Sequence, residues 1–183
     1  MKKLLIPFVV FVYLMQAYFL VLCGLSSKFD SFNFNYYLLY IPFFVFGFAA
    51  LIFGILNCVF GLLQISRPIR GVYKTVMICK LALIPFFIIN FIICVLLAVG
   101  MLNPFLLILG VVVMLLCLLV TYGIMLSTSV YNVGYAVYQV RQGEVSFLEV
   151  LMPVIFQFIY ILDCVGAVML YIKGKESAEV LSA

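Results

Sequence analysis

An all-α integral membrane bundle of five transmembrane helices is the fold class this chain predicts, and three observations carry the prediction. Hydrophobic residues make up 69% and charged residues 9% of its 183 positions, with a mean hydropathy of +1.40. That is too apolar for a water-soluble domain of this length. Five apolar runs reach the roughly 20 residues that a spanning helix needs. They cover residues 4–25, 37–65, 81–100, 105–126 and 150–172 within one domain, 1–183, and none shows the period-two alternation of a barrel strand. Third, the ten basic and six acidic residues lie almost entirely between or beside these runs.

The first run, Leu4–Leu25, follows Lys2 and Lys3 and so has the opening of a signal peptide. Its apolar length exceeds the usual h-region of about 7–15 residues, and no small-x-small cleavage site follows. Leu22 also stands where a lipoprotein signal needs a small residue before Cys23. The run reads as an uncleaved first helix.

The second run, Tyr37–Ile65, carries the clearest pattern. Gly47, Gly54 and Gly61 recur every seven residues, and Ala50, Asn57 and Gln64 repeat with the same spacing. Together they form one stripe of small and polar residues, along which helix backbones approach closely and amides bond across the contact. Whether its partner is a helix of this chain or of a second copy is open at this level.

The third run, Leu81–Gly100, contains Asn90 between Ile89 and Phe91, and Lys80 stands at its start. A lysine there is expected to run its long stem back to the headgroups. The fourth run, Phe105–Leu126, is expected to continue beyond the membrane surface, because Thr128, Tyr131, Tyr135, Tyr138 and Gln142 share a helical face before Gly143 offers a stop. A capping box, Ser146-Phe-Leu-Glu149, then announces the next helix, with Val145 and Val150 placed as a staple. Pro153 frees the carbonyl of Glu149 four residues earlier.

The fifth run, Val150–Ile172, holds Asp163 near its centre, the one acid inside any apolar run. A carboxylate at that depth costs at least ~2.5–3.5 kcal/mol on insertion scales, so it needs a partner, a proton or a task. Pro153, Gln157, Tyr160 and Cys164 share a helix face that Asp163 borders. Asn90 falls at a similar depth and is the expected hydrogen-bond partner of Asp163. Asp163, Asn90, Gln157 and Tyr160 are therefore the candidate ion or proton site, set against a reading in which a protonated Asp163 only ties helices together.

Orientation follows from Lys and Arg. Lys2, Lys3, Arg67, Arg70, Lys74, Lys80 and Arg141 fall on one side and Lys28, Lys173 and Lys175 on the other, if five segments cross. The N-terminus is then cytoplasmic and the C-terminus outside. Tyr36, Tyr37 and Tyr40 at one interface and Tyr73, Tyr131, Tyr135 and Tyr138 at the other fit an aromatic belt.

Much chemistry is unsupported. The chain has no His, which removes the usual zinc ligand and the usual general base. Its six cysteines show no CxxC spacing and read as small hydrophobes. No phosphate-cradling loop, acidic dyad or metal cluster is present, so no cofactor and no metal is expected. Ser127-Thr-Ser129 reads as a polar helix end, and the spacing supports no serine–lysine dyad. A net charge of +4 is no nucleic-acid footprint. The chain is not expected to be an enzyme.

Two stretches carry a resemblance. Tyr131 through Ile172, with Gln142-Gly-Glu-Val-Ser and Ile155-Phe-Gln-Phe-Ile-Tyr-Ile-Leu-Asp-Cys, is one; Lys80-Leu-Ala-Leu-Ile-Pro-Phe-Phe-Ile-Ile-Asn90-Phe is the other. Both resemble segments of small multi-pass membrane proteins of Gram-positive gut bacteria, grouped as a domain of unknown function. The resemblance implies a bacterial cytoplasmic-membrane location and no activity, and it carries over Lys80, Pro85, Asn90 and Asp163.

The sequence thus points to a multi-pass plasma-membrane protein surrounded by lipid. Its expected role is a structural or accessory subunit of a larger membrane complex or homo-oligomer. The alternative is a small oligomeric transporter or channel subunit that uses Asp163.

Overall fold

The computed structural model describes residues 4–26, 38, 40–66, 72–143, 145–159 and 162–180. Its described elements are six helices: α1 Leu5–Ser26, α2 Ile41–Leu63, α3 Val72–Gly100, α4 Pro104–Gln142, α5 Phe147–Phe156 and α6 Asp163–Val180. Four of them contain stretches long and apolar enough to cross a bilayer: Leu5–Gly24, Ile41–Leu63, Val72–Gly100 and Gly110–Gln142. Their outer faces carry Phe44, Phe48, Ile108 and Leu119, all strongly exposed. Such a girdle suits hydrocarbon, and these helices are compatible with membrane insertion.

Local sequence explains the boundaries. Pro42 sits in the first turn of α2, where its missing N–H costs nothing, and α2 closes with the Gln64 amide donating to the Gly61 carbonyl at 3.1 Å. The α4 helix runs far past its apolar section and stops at Gly143, whose φ of +72° suits glycine, as the sequence predicts. Ser146 takes the extended backbone of an N-cap, but its side chain makes no capping bond; the expected capping box does not form.

The α2 stripe turns inward and finds its partners within this chain. A Cβ on Gly47 would meet Met15 of α1 at 3.5 Å, and one on Gly54 would meet Phe8 at 3.3 Å. Lower down, Gly61 faces Val130 and the Tyr131 amide, and Gly134 of α4 is so close that its Cβ would stand 2.3 Å from the Gly61 carbonyl oxygen. Ala50, Asn57 and Gln64 are buried along the same seam. The Tyr131 hydroxyl donates to Asn57 Oδ1 at 3.2 Å, joining α4 to α2. On the other flank of α1, Tyr13 donates to the Ala82 carbonyl and Gln16 to the Phe86 carbonyl at 3.1 Å. Those bonds fasten α1 across the stretch of α3 that holds Pro85. A core of Phe8, Val12, Ala50, Leu83, Phe86 and Met125 fills the centre between α1, α2, α3 and α4.

The fifth apolar run departs from expectation. No single helix covers Val150–Ile172: α5 ends at Phe156, turns follow at Gln157 and Phe158, and α6 begins at Asp163. The two helices fold back on each other. A Cβ on Gly166 would lie 2.6 Å from the Pro153 carbonyl oxygen, and the Lys173 ammonium donates to the Glu149 carbonyl at 2.8 Å. That carbonyl is the one Pro153 frees, so the proline creates an acceptor and the returning helix uses it. Tyr73, Ala136, Val150 and Leu170 pack the hairpin onto α3 and α4. Gly174 lies against the Tyr73 ring, so α6 ends beside the start of α3, on the side from which α5 departs. The C-terminal side of the run is therefore not across the bundle from Tyr73, as five crossings would require.

Candidate functional site

Lys80 and Asp163 form an ion pair in which both residues are fully buried. Four helices supply one side chain each. Lys80 comes from the third turn of α3, Asp163 opens α6, Ser129 comes from α4, and Gln157 terminates α5. The Lys80 ammonium donates to Asp163 Oδ1, to Ser129 Oγ at 2.8 Å and to Gln157 Oε1 at 3.5 Å. Three donors thus meet three acceptors, which is the full capacity of an ammonium. The single Ser129 hydrogen serves Met125 O at 2.8 Å or Asp163 Oδ1 at 3.0 Å. Cys164 Sγ reaches the Lys80 carbonyl at 3.8 Å.

The hairpin is what makes the cluster. Pro153 and Gly166 let α5 and α6 come together, and the break between them leaves Gln157 and Asp163 at the tip, aimed at α3 and α4. An acid placed at the first position of a helix also meets the positive end of its dipole. Two groups in the cluster keep unused capacity: Asp163 Oδ2 and Gln157 Nε2 are buried without a partner among the described residues. One is an acceptor and the other a donor, which suits a small species carrying both functions, a water molecule or a proton carrier.

The structure redistributes the residues singled out from sequence. Asp163 and Gln157 come together. Asn90 does not join them: it is half-buried ten positions along α3 from Lys80, donating to Thr121 Oγ1 and to the Cys117 carbonyl at 3.4 Å. The expected Asp163–Asn90 bond is replaced by Asp163–Lys80, because a buried ammonium stabilises a carboxylate more than an amide does. Tyr160 lies outside the described residues, as do Lys2, Lys3, Lys28, Arg67, Arg70, Tyr36 and Tyr37. Lys80 does not snorkel; its side chain has no exposure at all. The resemblance carries Lys80 over beside Asp163, but the expected site omits it, and Ser129 with it. The available signal was complementarity, since the one acid inside an apolar run calls for a base at similar depth.

Farther along α4, Met125, Ser129, Asn132, Ala136 and Gln139 recur at alternating spacings of four and three and are all buried. Gln139 Oε1 accepts from the Tyr73 hydroxyl at 2.8 Å. Both polar atoms of Asn132 lack a partner among the described residues.

Residues 1–176 match a family model described as a family of unknown function (DUF6652). No curated protein and no solved structure matches the chain.

Proposed function

The chain belongs to that family of unknown function, and we propose that it is an integral membrane protein with four crossings and one re-entrant hairpin, whose Lys80–Asp163 pair is the proton-binding centre of a small oligomeric transporter or channel subunit. The observation that carries this reading is a buried ion pair at the break of a discontinuous helix, with carboxylate oxygen Asp163 Oδ2 unpartnered among the described residues. A buried pair is a poor way to gain stability, because apolar residues of similar volume often do as well or better. Ionisable residues inside a membrane instead mark pathways, and broken helices near the midplane are where coupled carriers hold their ions. At about 1.5 Å per residue, the ten residues of α5 reach roughly 15 Å, half of a hydrocarbon core of about 30 Å. The hairpin tip then lies at the midplane.

The hairpin also sharpens the orientation. With α6 returning beside the start of α3, Lys173 and Lys175 join Lys2, Lys3, Arg67, Arg70, Lys74 and Arg141 on one side, Lys28 falls opposite, and Lys80 lies inside the bundle and orients nothing. Eight against one supports a cytoplasmic N-terminus and a cytoplasmic C-terminal end in a bacterial plasma membrane.

A second reading, a structural or accessory subunit of a membrane complex, draws on the same pair. Lys80 cancels the charge of Asp163, so the two together serve as a staple for the hairpin. Carbodiimide labelling of Asp163 in membranes, read by mass spectrometry across acid to alkaline pH, separates the two. The proton-binding reading expects labelling that falls as pH rises. No labelling at any pH overturns it in favour of the staple.

A further inference from the structure

We propose that the buried stripe Ser129, Asn132 and Gln139 of α4, closed at its far end by Tyr73 of α3, is a hydrated proton path that connects Asp163 to one face of the bundle only. The inference deepens the proton-binding reading and rests on it.

The stripe begins at the ion pair, where Ser129 bonds both Lys80 and Asp163. Asn132 follows one turn later, and Gln139 two turns beyond that, about 15 Å from Ser129 along the helix. There the Tyr73 hydroxyl holds Gln139, close to the ends of α4 and α6 and the start of α3. An amide buried with neither its nitrogen nor its oxygen bonded costs free energy twice over. Among the described residues Asn132 is in that position, at 0% exposure, in a stretch of α4 that packs against α3 and α6. Water satisfies such a group, since a buried water takes two to four polar partners and Asn132 offers a donor and an acceptor together. In the opposite direction, Met125 and the apolar core of Phe86, Phe87 and Leu83 follow, and the polar groups among the described residues there are already bonded, Gln16 to the Phe86 carbonyl and Asn90 to Thr121, so none calls for water as Asn132 does. Access is therefore one-sided.

The transfer balances simply. A proton from water at the Tyr73 end passes along hydrogen-bonded water and adds to Asp163 Oδ2. Lys80 keeps its own proton, and the ion pair becomes an ammonium–carboxylic acid hydrogen bond. Among the described residues, the titratable groups facing Asp163 are Lys80 from α3 and its own neighbour Cys164, while α4 and the end of α5 present uncharged Ser129 and Gln157.

The test is the rate at which Asp163 gains a proton after a pH jump, followed by infrared spectroscopy of the full chain in lipid nanodiscs, with Asp163→Asn identifying the band. Asn132→Leu, similar in shape but apolar, is expected to slow protonation about tenfold, as a barrier higher by about 1.4 kcal/mol would. Asn132→Ser, which keeps a hydroxyl and leaves room for water, is expected to restore the rate. Should Asn132→Leu fail to fold, Gln139→Leu is expected to give the same slowing. Unchanged rates in a folded Asn132→Leu or Gln139→Leu protein, with Asp163 still titrating, would overturn the path and leave the proton site standing. An Asp163 that never titrates in the wild-type chain would overturn both.

Discussion

Gly166 of α6 lies against the carbonyl of Pro153 in α5, so close that a Cβ on Gly166 would stand 2.6 Å from the oxygen. The two residues are thirteen positions apart, a separation that one straight helix would stretch to about 20 Å. Their contact defines the hairpin, and the hairpin places Asp163 and Gln157 at its tip beside Lys80 and Ser129. A backbone oxygen cannot retreat as a flexible side chain can.

Gly166→Leu is therefore expected to open the hairpin and abolish the folded state. Gly166→Ala should cost about 1–3 kcal/mol, the range for overpacking a filled site. Thermal unfolding in detergent and elution from a sizing column measure both. A Gly166→Leu protein as stable as wild type would mean that α5 and α6 do not meet here.

Breaking the ion pair from one side should be worse than removing it whole. Lys80→Met strands a carboxylate in the core and should cost about 3–5 kcal/mol, whereas Lys80→Met combined with Asp163→Leu should regain most of that loss. Because both groups are buried, added salt should leave the comparison unchanged. A double variant no more stable than the single one contradicts the pairing.

The α2–α4 seam gives a graded contrast. Gly134→Ala would drive a Cβ to 2.3 Å from the Gly61 backbone oxygen and should lower the melting temperature clearly. Gly54→Ala meets side chains alone, the edge of the Phe8 ring at 3.3 Å and the Ser127 hydroxyl at 3.7 Å, which need give by only a few tenths of an ångström, and should be close to neutral. Equal effects at the two sites would mean that α2 and α4 are not in backbone contact at Gly61.

Topology offers the most direct check. Reporter tags fused at the N-terminus and at the C-terminus should both be reached from the same face of sealed vesicles, because α6 returns beside Tyr73. Tags on opposite faces would restore a fifth crossing. Separately, Lys173→Met should loosen the hairpin base by about 1–3 kcal/mol, the worth of a charged hydrogen bond to the Glu149 carbonyl.

Much of the bundle was legible one helix at a time. Apolar length marks α1 to α4, Gly143 marks the end of α4, and Pro153 marks the freed carbonyl of Glu149. The stripe on α2 announced a seam, because small residues every seven positions have few uses in a membrane other than close packing. The 4–3 spacing of Ser129, Asn132, Ala136 and Gln139 is equally readable beside the tyrosine face. The missing fifth crossing has a plain cause. Apolar length alone cannot distinguish a helix that crosses from two that turn back, since the break at Gln157 carries neither glycine nor charge.

The residues taken one stretch at a time dictate what is local and additive: which segments are apolar enough for lipid, where most helices begin and end, and that Asp163 required a partner. Which partner was a tertiary decision. Asn90 and Lys80 were both within reach along the chain, and only the folding-back of α6 onto α5 brought Asp163 to the level of Lys80 and left Asn90 to Thr121. The physical reason is that burial of a charge is settled by whatever counter-charge the packing delivers. That delivery depends on a contact between Pro153 and Gly166, which has no signature in either residue alone.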